Sequence, residues 1–477
     1  MKKHSIFKFM GIILLVILVL TYFIPARAGE VSYLPFGDIL TNYIQSYYYF
    51  WDTAIFVLAV GAFYGVLNKT SAYKKLLNNL SKMAKPIGKK FIFAIIILFA
   101  VISACTGITT ALFVFIPFVI SIILLLGYDK LVAISATVVP TMIGFIGGLF
   151  TTFRDPNNYY GYSAVTFEAF TGIDRYANVI PQLALLVIGV ALTILFVNKH
   201  IKDTEGKKVK YELESKEDVL FTETKSEEKS VKTWPLLVII ALLFVLMILG
   251  LVPWNTLSSN ITCFDDFHTK LTELAIKDFP IYNSVISTVF KAFGRWAELG
   301  NYMILVVTLV IATLLIKIIY KVKFDDVLDG IIEGAKKMIP TAALMMMAYT
   351  ILICTYNNGF FETIISNVSK DSSINYALAS LITAFGSLLH VDLYYTASGI
   401  FTPILKAVTD ESMLNVFALA FQSIYGVVSI IGPTSLMLIF VLSYLDVPYT
   451  TWLKYIWRLI LALLIVIFAT LLILAVI

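Results

Sequence analysis

The stretch that decides the fold is Gly386–Leu405, GSLLHVDLYYTASGIFTPIL, followed after a polar hinge by Phe417–Ser435, FALAFQSIYGVVSIIGPTS. Small and polar residues interrupt segments that are otherwise apolar enough to lie in a bilayer. In lipid, a helix break is tolerated only where protein or a water-filled cavity satisfies the freed backbone groups. Such breaks mark the binding sites of secondary transporters, although a helix that is only kinked by its polar residues would have the same composition.

A similar block occurs in the first half of the chain. Its Phe115-Ile116-Pro117 aligns with Phe401-Thr402-Pro403, and its Gly147-Gly148 aligns with Gly432-Pro433. Two interrupted hydrophobic blocks at corresponding places in two halves are the best sequence indicator of a binding site near the bilayer midplane. We therefore expect each block to form a re-entrant hairpin followed by a broken helix, with the two hairpins entering from opposite faces.

The composition predicts an all-α polytopic membrane protein. Of the 477 residues, 59% are hydrophobic and only 14% are charged, which is too little polar surface for a soluble protein of this length. Apolar runs close to the 20 residues that span the hydrocarbon recur, for example at Leu236–Val252 and Leu459–Ile477. The net charge of +5 does not indicate nucleic-acid binding, because the lysines fall in loops between spans.

The distribution of charge predicts the topology. Residues 69–90 carry seven lysines and no acidic residue, which places this loop and the amino terminus in the cytoplasm. Residues 253–300 carry more acidic than basic residues, as expected outside. The crossing at 234–252 then gives the two halves opposite orientations, as in many secondary carriers. The predicted units are a first transmembrane repeat (1–198), a charged cytoplasmic linker (199–232), a linking helix with an extracytoplasmic segment (233–300) and a second repeat (301–477).

Several short stretches resemble the YfcC-type carriers of the ion-transporter superfamily, which are similar to anaerobic C4-dicarboxylate carriers, arginine/ornithine antiporters and aminobenzoyl-glutamate carriers. The stretches are Phe23–Ala26, Gly61–Thr70, Leu126–Asp129, Gly330–Lys336, Gly432–Ser435, Val447–Tyr449 and Trp452-Leu453. The resemblance implies a homodimer in which a transport region moves against a scaffold region in the manner of an elevator. It also implies that hairpin tips and helix breaks bind the substrate and the coupling ion.

The chain departs from the pattern of these carriers at three places. The first tip, Ala104–Thr110, lacks the carboxylates usual there; Arg154–Asn157 replaces an Asn-Pro-Phe-Thr-like break; and Leu389–Tyr394 replaces a Pro-Ser-Gly-rich tip. The substrate therefore need not be that of any relative.

The candidate site residues combine ionisable groups at membrane depth, where burial without a partner costs several kcal/mol, with hydroxyls at the tips and breaks. The predicted substrate-binding residues are Thr106, Thr109, Thr110, Thr151, Thr152, Arg154, Asn157, Thr434 and Ser435. The predicted ion-coupling residues are Asp155, His390, Asp392 and Ser398.

Two of these predictions have alternatives. Arg154 could hold a carboxylate of the substrate through a bidentate fork, or it could pair with Asp155 and stabilise the loop. His390 and Asp392 could bind a proton or Na⁺, or they could lie in a solvated loop. Backbone carbonyls at the breaks could equally ligate Na⁺.

No motif indicates an enzyme. The chain has no phosphate-binding G-x-x-x-x-G-K-[ST], no G-x-S-x-G, no H-E-x-x-H and no Cys or His spacing typical of a metal site, and we expect no cofactor beyond a coupling Na⁺ or H⁺. The sequence therefore predicts an ion-coupled symporter or antiporter of the bacterial cytoplasmic membrane. Its substrate would be a small carboxylate-bearing solute such as a C4-dicarboxylate or an amino acid. Carriers of basic amino acids or short peptides, and a non-transporting membrane sensor, are the alternatives.

Overall fold

The computed structural model describes residues 5–23, 33–148, 152–154, 162–164, 177–205, 231–252, 254, 260–286, 290–296, 302–369, 374–390, 392–408, 410 and 413–476. Within these ranges nine helices are long and apolar enough to cross a membrane. This confirms the predicted all-helical, polytopic class.

The first half contains eight helices and a short strand pair. They are α1 (Ser5–Phe23), α2 (Phe36–Tyr49), α3 (Trp51–Asn68), α4 (Ser71–Ala84), α5 (Lys89–Thr106), α6 (Ile116–Leu125), α7 (Lys130–Ile146), β1 (Thr152–Arg154), β2 (Tyr162–Ala164) and α8 (Val179–Glu205). The two strands pair antiparallel. Helix α8 continues beyond residue 198, where the first repeat was predicted to end.

The rest of the described chain begins with α9 (Trp234–Leu251), α10 (Cys263–Thr272) and a second small hairpin, β3 (Ala275–Ile276) and β4 (Phe279–Pro280). The second half then follows as α11 (Met303–Tyr320), α12 (Phe324–Tyr356), α13 (Phe360–Val368), α14 (Tyr376–Leu389), α15 (Leu393–Thr396), α16 (Thr402–Lys406), α17 (Leu414–Ile431), α18 (Leu436–Leu445) and α19 (Tyr449–Val476).

Four glycines bring α3 and α12 into backbone contact. Gly61 and Gly65 lie one turn apart on α3 and face Gly334 and Gly330 on α12. A Cβ atom on any of the four would overlap the backbone of the facing helix. Small residues spaced by four allow this close approach in membranes, where van der Waals contact replaces the hydrophobic driving force. The α3–α12 pair is the most extensive helix contact in the described chain.

The structure contains both predicted hairpins. In hairpin 1, α5 ends at Gly107, which has a left-handed φ of 69°, and a 3₁₀ turn at Thr110–Val114 leads into α6. In hairpin 2, α14 ends at His390 and the chain returns through α15, a π turn at Ala397–Phe401 and α16. The aligned prolines, Pro117 and Pro403, both lie in the first turn of the returning helix, where a missing N–H costs least.

The expected broken helix is present after hairpin 2 but not, in the described residues, after hairpin 1. Helix α17 ends at Ile431 and the chain resumes as α18 after Ser435. Helix α7 ends at Ile146, and the next described element is strand β1. The aligned Gly147-Gly148 and Gly432-Pro433 therefore both follow the end of a helix, and we call them the first and the second break.

One element differs from the prediction. The sequence pattern predicts an amphipathic inner segment at Asp325–Lys337 and a separate outward span at about Ile339–Tyr356. In the structure α12 runs through both as 33 residues with Pro340 inside. The difference in polarity between the two parts was misleading, because Gly330 and Gly334 of the amphipathic part also pack against α3. The packing surface therefore continues across the proline and holds the two parts in one helix.

The segments predicted to be cytoplasmic meet at one end of the bundle. Lys69 pairs with Glu333 at 2.9 Å, and Lys75 Nζ donates to the Val231 carbonyl at 3.0 Å. The Tyr320 hydroxyl donates to the Lys232 carbonyl at 3.0 Å. These contacts join α4, the end of the linker, α11 and α12.

Candidate functional site

The tip of hairpin 1 packs against α18, the segment that follows the break in the second repeat. The ring of Phe113 stacks on that of Phe440 with centroids 4.2 Å apart. From α3, the Tyr64 hydroxyl donates to the Val114 carbonyl at 2.6 Å. Hairpin 1 is thus held between α3 and α18.

The predicted threonines of this tip have different environments. The Thr106 hydroxyl donates to the Ile102 carbonyl at 2.5 Å and accepts from the Ile108 N–H at 3.2 Å, so it stabilises the end of α5. Thr109 and Thr110 are partly exposed at the turn. The Thr110 side chain also forms a hydrogen bond with the Tyr302 hydroxyl, so this residue links the turn to the start of α11.

The tip of hairpin 2 buries His390. Its side chain is 1% exposed, and its Nε2 lies 2.9 Å from the Thr355 hydroxyl of α12. Thr355 donates its own hydrogen to the Ile351 carbonyl at 3.0 Å, so the imidazole donates to Thr355 from Nε2. The Nδ1 atom has no partner among the described residues. The solvated-loop alternative is therefore wrong for His390, which ties the tip to α12.

Asp392 and Ser398 shape the returning arm of hairpin 2. Asp392 caps α15 by accepting from the Tyr394 N–H at 2.9 Å. Ser398 lies in the π turn, and its hydroxyl donates to Tyr356 Oη at 3.3 Å. Both side chains are partly exposed. Their role in ion coupling remains a prediction.

The second break is closed by side chains from several elements. The Thr434 hydroxyl donates to the Leu388 carbonyl of hairpin 2 at 2.9 Å, and Ser435 caps α18 by accepting from the Leu438 N–H. From α19, Trp452 Nε1 donates to the Ile430 carbonyl at 2.9 Å and the Tyr449 hydroxyl donates to the Ile431 carbonyl at 2.5 Å. Side chains of the protein thus satisfy the Ile430 and Ile431 carbonyls at the end of α17 and the Leu438 N–H at the start of α18.

We expect Thr434→Val to lower the melting temperature of the detergent-purified protein. The change keeps the side-chain shape but leaves the Leu388 carbonyl without its donor, which costs about 1–3 kcal/mol for a buried group. Thr434→Ser retains a hydroxyl and is the matched control. Equal melting temperatures for Thr434→Val and the unaltered protein would show that this hydrogen bond does not stabilise the break.

The first break is held by a residue that the sequence analysis did not select. Gln422 of α17 is buried, and its Nε2 donates to the carbonyls of Phe145 and Gly148, both at 2.8 Å. Its Oε1 accepts from Gln182 Nε2 of α8 at 2.9 Å. Gly426, one turn along α17, makes room for Ile146, because a Cβ atom there would overlap the isoleucine side chain. The sequence feature that could have identified Gln422 is a neutral amide inside an apolar run, because burying an amide without hydrogen-bond partners is costly.

The remaining predicted residues follow the first break. Thr151, Asp155 and Asn157 lie outside the described residues. Thr152 and Arg154 are the ends of β1, whose backbone lies beside α15 of hairpin 2, within 8 Å between Cα atoms. The backbone of Arg154 is therefore close to the tip that carries Asp392.

These contacts follow one rule in both halves. In each case the part of the chain that returns from a hairpin tip lies against the segment that follows the break in the other half. For hairpin 1, Thr110–Val114 lies against α18, which follows the second break. For hairpin 2, α15 lies against β1, which follows the first break. Thr110 thus begins the turn that meets α18, which Thr434 and Ser435 directly precede, and Arg154 belongs to the strand whose backbone lies beside α15. His390, in contrast, is buried against α12.

Comparison with known proteins identifies the family of the chain. The chain matches the family model described as DcuC, C4-dicarboxylate anaerobic carrier, over residues 5–476. Among solved structures, one found similar is the YdaH transporter of Alcanivorax borkumensis, with 14% sequence identity, a TM-score of 0.41, and coverage of 99% of this chain and 98% of that one. No curated protein sequence matches. Because the family model spans all nine candidate helices, both hairpins and both breaks, the chain belongs to the family of C4-dicarboxylate anaerobic carriers.

Proposed function

We propose that the protein is an ion-coupled secondary carrier for a small carboxylate-bearing solute, with C4-dicarboxylates as the first candidates. The observation that carries the proposal is the convergence of each hairpin's returning arm on the segment that follows the other repeat's break. A solute bound there touches both repeats, so its binding can be coupled to a movement of the hairpins against α3 and α12. The family's description supports the dicarboxylate class.

The roles within the site follow from the chemistry of a dianion. Arg154 supplies a bidentate fork for one carboxylate. Hydroxyls of Thr109, Thr110, Thr151, Thr152 and Ser435, with the Asn157 amide, offer donors for the remaining oxygens, whereas the Thr434 hydroxyl holds the Leu388 carbonyl. Asp155, Asp392 and Ser398, with His390 behind them, supply the groups for a coupling H⁺ or Na⁺. We further propose a homodimer in the bacterial cytoplasmic membrane with a cytoplasmic amino terminus.

The test is uptake of radiolabelled succinate by proteoliposomes that contain the purified full-length chain, with empty liposomes as the control. We expect saturable uptake that requires an imposed pH or Na⁺ gradient and is competed by fumarate and malate but not by arginine or dipeptides.

Other outcomes would replace this proposal. Competition by basic amino acids or short peptides would assign the carrier to one of those substrates. Binding of a solute, seen as a rise in melting temperature, without uptake under any gradient would identify a membrane sensor.

A further inference from the structure

At the first break, three backbone carbonyls at the end of α7 face the amide nitrogen of one side chain. Gln422 Nε2 lies 2.8 Å from the Phe145 oxygen, 3.2 Å from the Ile146 oxygen and 2.8 Å from the Gly148 oxygen. The Gln422 side chain is 1% exposed. One amide nitrogen thus faces three backbone carbonyls at the end of α7.

The orientation of this amide is set by its second partner. Gln422 Oε1 accepts from Gln182 Nε2 at 2.9 Å, so both hydrogens of Gln422 Nε2 remain for the carbonyls. Gln182 comes from α8, Gln422 from α17 and the carbonyls from α7. The amide therefore joins three helices at one point.

A cluster of backbone carbonyl oxygens at the end of a helix attracts positive charge. The carboxyl end of a helix carries a partial negative charge, and unwound carbonyls at such ends coordinate Na⁺ in other secondary transporters. Here the partially positive amide hydrogens occupy the position that a cation would take.

We propose that Gln422 is a built-in substitute for a cation at the first break, so that this break binds no Na⁺ and its geometry is fixed by the protein alone. This inference rests on the proposed function, because it concerns the coupling ion of the carrier. In this proposal Gln422 is a positioning residue, because it fixes the end of α7 from which the chain continues to β1. Gln182 orients the Gln422 amide.

The second break shows the same solution with different side chains. Trp452 Nε1 and the Tyr449 hydroxyl donate to the Ile430 and Ile431 carbonyls at the end of α17. All of these donors are neutral. Within the described residues, the carbonyl ends at both breaks thus receive hydrogen bonds from side chains.

The test compares melting temperatures of the full-length protein in NaCl and in N-methyl-D-glucamine chloride of equal ionic strength. The difference between the two salts for the unaltered chain is the baseline, because Na⁺ bound at the proposed coupling groups would stabilise the unaltered chain and the variant alike. Gln422→Ser vacates the position opposite the carbonyls; we expect it to lower the melting temperature by roughly 5 °C in N-methyl-D-glucamine, with part of the loss recovered in NaCl. Ser423→Ala is the matched control, because the neighbouring Ser423 hydroxyl has no partner among the described residues.

A second pair of variants covers the case in which Gln422→Ser does not fold. Gln422→Lys places a cation against the carbonyls, whereas Gln422→Glu places an anion of nearly the original shape there. We expect the Lys variant to give more monodisperse protein on size-exclusion chromatography than the Glu variant, an asymmetry that simple packing of Gln422 would not produce.

Two results would overturn the inference: an identical response to Na⁺ in the unaltered chain and in Gln422→Ser, or equal yields of the Lys and Glu variants. Neither readout needs a substrate. Failure of succinate uptake would therefore contradict the proposed function but would not change the interpretation of the melting-temperature test.

Discussion

Gly65→Ala is expected to leave little folded protein in the membrane. The new methyl group would overlap the Gly330 carbonyl and the Gly334 Cα on α12. A backbone neighbour cannot rotate away as a side chain can, so α3 and α12 must separate along their whole contact. Overpacking a core costs about 1–3 kcal/mol, and we expect the top of that range because α12 also carries Thr355, the partner of His390.

The measurement is the yield of monodisperse protein and its melting temperature after mild detergent extraction. Gly11→Ala is the matched control within a span, because a Cβ atom there would meet only the end of the Met347 side chain at 3.9 Å. A Gly65→Ala protein with the yield and stability of the Gly11→Ala protein would show that the helices do not need this close approach.

Arg154→Ala is expected to reduce kcat/KM for succinate roughly 10- to 150-fold, corresponding to about 1.5–3 kcal/mol for a hydrogen bond to a charged group. The loss should fall mainly on KM if the fork holds the dianion equally before and during transport. Arg154→Lys keeps the charge but not the bidentate geometry, so we expect it to recover only part of the activity.

Two controls separate this role from a structural one. The melting temperature of Arg154→Ala without substrate should equal that of the unaltered chain. Arg458→Ala removes an exposed arginine that lies over the Trp457 ring on α19 and should leave uptake unchanged. Unchanged uptake in Arg154→Ala would favour the alternative in which Arg154 pairs with Asp155 and only stabilises the loop.

The sequence was sufficient for the features that depend on local chemistry. Hydropathy predicted the spans, Gly147 and Gly432 marked the breaks, and Pro117 and Pro403 marked the starts of the returning helices. Each of these features depends only on a residue and its nearest neighbours along the chain. Pro340 shows the limit of such reasoning, because packing between α3 and α12 keeps the helix continuous there.

The features that sequence reasoning missed depend on contacts across long chain separations. Gln422 was not selected because its partners, Phe145 and Gly148, lie in the other repeat. The sequence of Gly29–Asp52 predicts an outer segment in which Tyr47–Trp51 forms an interfacial aromatic belt. It gives no sign that α2 packs against α12, or that Asn42 donates to the Cys354 sulfur at 3.2 Å. Pattern and hydropathy report which residues are unusual, but not which distant residues they meet.

The amide contact at the first break also has a consequence for biosynthesis. Gln422 lies 274 residues after Gly148. At a synthesis rate of about 5–20 residues per second, roughly 15–55 s pass between the emergence of the two from the ribosome. During this interval the Phe145 and Gly148 carbonyls lack their donor, and hairpin 1 lacks the ring of Phe440. The inserted first half is therefore an incomplete intermediate, which needs water or an insertion partner at the break until the last part of the chain arrives.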